Sequence, residues 1–180
     1  MKKHLIQVLL ILLQSSSFGQ IRSPEEIKDS INHQCTHRNN FTIAERLRNY
    51  PFNSSKQVKL ASISSSLGDD FLRAGKINLA LLKEVTTLDS IQINSLTDIL
   101  YNLDSKGTIF YYSIEGCYYP KNAILFIDTN GQVFDLIELS FECSDFKISS
   151  EKFTHFRFCN EKYSSLKSFF KKSGISYGTN

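Results

Sequence analysis

Four side chains with usable chemistry crowd one short stretch: Glu115, Tyr118, Tyr119 and Lys121 flank Cys117. A carboxylate, two phenols and an ammonium beside a covalent anchor suit recognition of a partner, because tyrosines supply contact area at small entropic cost. The plainer alternative is a disulfide-held loop whose tyrosines cover a sheet, since part-buried Tyr is common in small domains. A second set lies downstream. His155 and Arg157 alternate along 153–158, so in a strand they share one face. An imidazole and a guanidinium side by side offer anion binding or acid–base chemistry. They are equally the solvated side of a strand whose other side carries Phe156 and Phe158.

The usual enzyme signatures are missing. The chain has no Gly-x-Ser-x-Gly, no His-Glu-x-x-His, no phosphate-binding Gly-rich loop and no Cys-x-x-Cys. Asp128-Thr129-Asn130-Gly131 is rich in oxygen donors, but it lacks the spacing and late Glu of a calcium loop and reads as a turn. Catalytic residues can still assemble from distant positions. A small exported, hydrolase-like enzyme with its site near Glu115, His155 and Arg157 therefore stands as an alternative to a binding domain.

The thiols depend on the compartment. Lys2, Lys3 and His4 precede an apolar run from Leu5 to Leu13, and Ser17 and Gly19 are small residues placed for a cut before Gln20. This is the pattern of a signal peptide over 1–19. The run is too short to span a bilayer, which takes about 18 or more apolar residues. Export to the periplasm or beyond puts Cys35, Cys117, Cys143 and Cys159 in oxidising surroundings, where disulfides are expected. A zinc site would need close Cys or His pairs, which are absent. No metal or other cofactor is expected, and thiol redox or metal binding is the third functional reading.

These residues need a frame. Ser23-Pro24-Glu25-Glu26 opens a helix with a capping box, and Ile27, Ile31 and Cys35 follow at spacing four on one face. Thr42 and Glu45 open a second helix, with Ile43 and Leu47 as its apolar side and Pro51 as its stop. Together they form an N-terminal helical lid over 20–52. Residues 57–63 read as a strand and 64–70 as a polar turn, while 77–88 suits a strand or a helix equally. Asp89 and Gln92 cap a third helix with an apolar stripe at Leu96, Ile99, Leu100 and Leu103, ended by Gly107. Residues 109–112 are aromatic and β-branched strand material. Two apolar runs, 123–127 and 133–141, flank the turn at Asn130-Gly131 and predict a central hairpin covered on both faces. A final helix opens at Asn160, turns Tyr163, Leu166, Phe169 and Phe170 inward and ends at Gly174. The expected fold is α+β: an antiparallel sheet of about four or five strands packed by three or four helices in a single domain over 20–180, stapled by disulfides.

Four cysteines allow three pairings. A three-residue turn with Gly131 in the left-handed region places Asp128 opposite Gln132, and the same register carries Cys117 opposite Cys143. That leaves Cys35 with Cys159. A two-residue turn slips the register by one and sets Cys143 against Tyr118, and Cys143–Cys159 is the rival pair.

The segment from Cys117-Tyr118-Tyr119-Pro120-Lys121-Asn122 to Asp128 resembles the core motif of a group of small exported bacterial proteins of unknown function. Phe141-Glu142-Cys143, Phe158-Cys159-Asn160-Glu161-Lys162-Tyr163, the run from Leu166 to Phe170 and Gly174-Ile175 fit it as well. The resemblance covers residues 85–178. The group tends to carry Cys-Phe-x-Cys where this chain has Ser140-Phe141-Glu142-Cys143. It implies export and brings no known activity with it.

Composition narrows the partners. In 180 residues, 41% hydrophobic and 22% charged content is that of a folded globular chain. Of 21 Lys and Arg, Lys2 and Lys3 lie in the leader, so 19 remain against 18 Asp and Glu. No basic stripe calls for nucleic acid. The leading expectation is a non-catalytic exported binding or interaction domain, whose partner is another envelope or extracellular protein.

Overall fold

The computed structural model describes residues 22–64, 72–73, 76–109, 117–153 and 158–180. The leader, Glu115, His155 and Arg157 lie outside these residues, as do most of 64–70, 109–112 and 153–158. In chain order come α1 (Pro24–Asn32), β1 (Cys35–His37), α2 (Ile43–Arg48), β2 (Gln57–Ile63), β3 (Leu72–Arg73), β4 (Lys76–Ile77) and β5 (Leu82–Thr87). Then follow α3 (Ser90–Tyr101), β6 (Leu103–Ser105), β7 (Asn122–Ile127), β8 (Val133–Ser140), β9 (Asp145–Ile148) and α4 (Asn160–Lys172). The fold is α+β. A five-stranded antiparallel sheet runs in the order β5-β2-β7-β8-β9, with β1-β6 and β3-β4 as separate two-stranded pairs.

Alternation along the strands builds two cores. Val58, Leu60, Ile124, Phe126, Ile137 and Leu139 project from one face and pack with Leu96 and Leu100 of α3 and Leu166 and Phe170 of α4. Ala61, Ile63, Ala123, Leu125, Ile127 and Leu136 gather on the other. All six residues of β7 are buried, as suits the middle strand of five. Each buried Leu, Ile or Phe contributes about 1.5–3 kcal/mol.

The hairpin turn explains its own register. Gly131 takes φ +78°, and Ile127 pairs with Val133. A bulge then slips the ladder by one, so that Phe126 faces Asp135 and Asn122 faces Leu139. Asp128 fixes the turn by accepting the backbone N–H groups of Asn130 and Gln132 at 2.8 and 2.9 Å. This is an Asx turn.

All three predicted capping boxes form, at Ser23–Glu26, Thr42–Glu45 and Asp89–Gln92. Several finer expectations are corrected. Residues 79–81 form a 3-10 turn that leads into β5, which resolves the ambiguous stretch at 77–88. Helix α3 stops at Tyr101, well before Gly107, and Asn102 caps it while its side-chain amide bonds the backbone N–H and carbonyl of Phe41. Leu103 accordingly belongs to β6, not to the helical stripe. Strand β8 ends at Ser140, one residue short of Phe141. Asn160 is the first residue of α4 and Cys159 holds the cap position without a side-chain bond.

The lid helices depart furthest. Cys35 lies in β1 beyond the end of α1, and Ile27 and Ile31 are each 48% exposed. In α2 the apolar side is turned out, with Ile43 43% and Leu47 37% exposed, while Arg46 is 6% exposed. Arg46 goes inward because its partners on α3 are polar. Its Nε donates to Thr97 Oγ1 at 3.1 Å, Nη1 to the Phe41 carbonyl at 2.7 Å, and Nη2 to Asn94 Oδ1.

Candidate functional site

All four cysteines are paired, Cys35 with Cys159 and Cys117 with Cys143. The second disulfide forms beyond the end of the ladder, between the loop before β7 and the turn after β8, so the bulge does not prevent it. It anchors loop 117–121, where three of the sequence-predicted residues meet.

Each of those residues has a distinct fate. Tyr118 folds back over the sheet and its hydroxyl donates to Glu138 Oε2 at 2.9 Å. Glu138 is buried, and Lys147 of β9 sets its Nζ 4.0 Å from the centre of the Tyr118 ring. Burial, then the charge and hydrogen bond of Glu138, and lastly Asp145 push the Tyr118 phenol far above its ordinary range. A phenol so held is a donor and not a base. Lys121 pairs with Glu142 at 2.5 Å. The Tyr119 backbone N–H donates to Ser140 Oγ at 3.2 Å, and its side chain is 40% exposed. The loop is thus tied by its disulfide and by bonds from Tyr118, Tyr119 and Lys121, and Tyr119 is the large side chain it presents to solvent. Glu115, His155 and Arg157 lie outside the described residues, so no geometry joins them to this surface.

Sequence reasoning missed Glu138, Ser140 and Glu142 as the loop's partners. The sequence of β8 held the signal: Glu138 stands between Ile137 and Leu139 and, once buried, needs a donor.

Three further polar clusters occur elsewhere. His37 Nε2 meets Asp98 Oδ2 at 2.7 Å, and Asp98 Oδ1 also accepts from Asn102 Nδ2 at 2.8 Å and lies 3.4 Å from Arg46 Nη1. Burial pushes the Asp98 carboxyl up, but the hydrogen bonds of His37 and Asn102 and the electrostatic pull of His37 and Arg46 outweigh it and leave the carboxyl below its usual value. Asp135, buried in β8, accepts hydrogen bonds from the Tyr50 and Ser149 hydroxyls. Burial first, and then the bond and charge of Asp135, push the Tyr50 phenol up to about 12. These two clusters tie the lid segment to α3 and to the hairpin.

The third is Lys162 of α4, which is 0% exposed. Its Nζ donates to the Leu100 carbonyl at 2.9 Å, in the last turn of α3, where cations are favoured. Burial lowers its pKa to about 7 against a smaller opposing effect of Asp104. Among the described residues no three of His, Cys, Asp and Glu gather as metal ligands would, and no helix is long and apolar enough to cross a membrane.

Comparison with known proteins returns no relative for this arrangement: no family model, no curated protein and no solved structure matches the chain.

Proposed function

We propose that this chain is a non-catalytic interaction domain of the cell exterior or periplasm, and that loop 117–121 is its recognition surface. The observation that carries the reading is the contrast within the loop. Tyr118 and Lys121 are committed to Glu138 and Glu142, while Tyr119 is held outward on a backbone fixed by a disulfide and by Ser140. A loop ordered beforehand loses little conformational entropy on binding, and a rigid aromatic anchor is the commonest kind of hot spot. Two formed disulfides support an oxidising location. The partner is another envelope or extracellular protein.

A photo-crosslinking amino acid placed at Tyr119, in the cell of origin, is expected to capture a discrete partner. The same probe at the exposed Asn130, at the far tip of the hairpin, is expected to capture none. Equal labelling at both positions would overturn the reading.

A further inference from the structure

The two disulfides differ in what surrounds them. In the Cys35–Cys159 pair, Cys159 is 2% exposed and holds the cap position of α4. In the Cys117–Cys143 pair both residues are part-exposed, one in the loop before β7 and the other in the turn after β8. A thiolate must reach a sulfur to attack it, so access separates the two pairs. The turn is also strained. Ser144, next to Cys143, sits at φ 49°, a left-handed conformation that is costly for a residue with a Cβ. Opening the disulfide frees that turn to relax. Strained or exposed disulfides are the reducible ones, while resistant ones are structural.

The surrounding contacts separate what reduction releases from what it leaves. Neither cysteine belongs to a ladder: β7 pairs with β8 only from Asn122 on, and β8 pairs with β9 up to Ser140–Asp145. Phe141 packs on Phe170 of α4 with ring centres 5.5 Å apart, which holds the end of β8 from the core side. The sheet and its cores therefore stand without this bond. Loop 117–121 does not. Its other ties are the Tyr118 hydroxyl on Glu138, the Tyr119 N–H on Ser140 and the Lys121–Glu142 pair. The side chains of that pair are 30% and 55% exposed, where an ion pair holds little, and Glu142 stands in the same turn that the disulfide fixes.

We infer that Cys117–Cys143 is a redox latch on loop 117–121: an exported dithiol reductant opens it while the fold stands, and Tyr119 then loses the fixed backbone that suits it to binding. The latch rests on the recognition role proposed for Tyr119 and adds its control. The exchange balances. A thiolate of the reductant bonds to one cysteine sulfur, the S–S bond breaks, and its electron pair leaves on the other sulfur, which takes a proton. The second thiol of the reductant displaces the mixed disulfide, so the protein gains two electrons and two protons and the reductant becomes a disulfide.

The test equilibrates the full chain in graded ratios of reduced to oxidised dithiothreitol, traps free thiols with N-ethylmaleimide and maps them by mass spectrometry. Cys117 and Cys143 are expected to reach half-labelling at a ratio about tenfold or more below that for Cys35 and Cys159. At that ratio amide hydrogen exchange is expected to speed up roughly tenfold at Tyr118 and Tyr119 and to stay unchanged in β2 and β7. Simultaneous reduction of the two pairs, earlier reduction of Cys35–Cys159, or unchanged exchange in the loop would overturn the inference. A second arm uses the crosslinking probe at position 119. Capture is expected to fall roughly fivefold on reduction, and to be low at every ratio in a chain carrying Cys117→Ser and Cys143→Ser. Should that chain fail to fold, the selectively reduced and trapped protein takes its place. Equal capture by oxidised and reduced protein would overturn the latch and leave recognition at Tyr119 standing. No capture by the oxidised protein overturns recognition itself, and its control with it.

Discussion

Replacing Lys162 by Met exchanges a buried amine for an apolar chain of similar length, and the pH dependence of its effect is specific. In the unfolded chain the ammonium titrates at its ordinary value of 10.5, and in the folded one at about 7. Below pH 7 both states hold the proton and the fold bears the full cost of burying the charge. Between pH 7 and 10.5 the unfolded state binds more protons, so stability rises with pH, by up to about 1.4 kcal/mol per pH unit and roughly 5 kcal/mol in all. Met removes that cost, and it also removes the hydrogen bond to the Leu100 carbonyl, which contributes about 1.5 kcal/mol. The variant is therefore expected to be more stable than the wild type by about 3 kcal/mol at pH 7 and to differ by less than about 1 kcal/mol at pH 9.5. Tyr50, Tyr101 and Tyr118 all titrate above their ordinary value of 10, so their contribution begins to fall only above that range and leaves the window clear. Urea unfolding at pH 7, 8, 9 and 9.5, with a constant m-value, reads the slope directly. Superimposed slopes for the two proteins would refute the assignment of this pH dependence to Lys162.

Paired Cys→Ser substitutions are expected to rank by loop length: opening Cys35–Cys159, which spans 124 residues, costs about 5 kcal/mol and opening Cys117–Cys143, which spans 26, about 3.5 kcal/mol, both read from urea midpoints. Arg46→Ala removes buried bonds to Thr97, the Phe41 carbonyl and Asn94 and the ion pair with Asp98, and is expected to cost about 3 kcal/mol, whereas Leu47→Ala on the same helix costs under about 1 kcal/mol. That order reverses the usual one for a helix, and thermal melts of the two variants check it. Tyr118→Phe leaves the buried Glu138 without its phenolic donor and is expected to cost about 2 kcal/mol, while Tyr119→Ala stays within about 0.5 kcal/mol of the wild type by the same measurement.

What could be read from the sequence divides along a physical line. Local signals held: Ser23, Thr42 and Asp89 each open a helix with a capping box, because that motif is closed within four residues. Strand β2 has the predicted limits, and the apolar runs on either side of Asn130-Gly131 pair as the central hairpin. What failed depends on the far side of a contact. Ile43 and Leu47 look like an inward face until α3 proves to offer Asn94, Thr97 and Asp98, which call for Arg46 instead. The cap of α3 is Asn102, whose side chain holds Phe41, 61 residues away, and not Gly107. For the candidate site, the sequence located loop 117–121 but not what restrains it. Glu138 and Ser140 come from the returning strand, about 20 residues on, and a one-residue bulge changes which of them a given loop residue meets. The register argument that placed Cys117 opposite Cys143 holds only at the turn, and the disulfide forms in the loops past the ladder.

The Cys35–Cys159 bond has a topological effect apart from any energy. It closes the backbone into a ring that contains all five strands of the main sheet, α2 and α3, with the smaller Cys117–Cys143 ring nested inside. A protease that nicks any one loop within the ring makes a break but no fragment: the cut ends remain on one covalent molecule, held at the distance the fold dictates. Damage at one site is then survivable, and it takes a second cut or a reductant to release a piece.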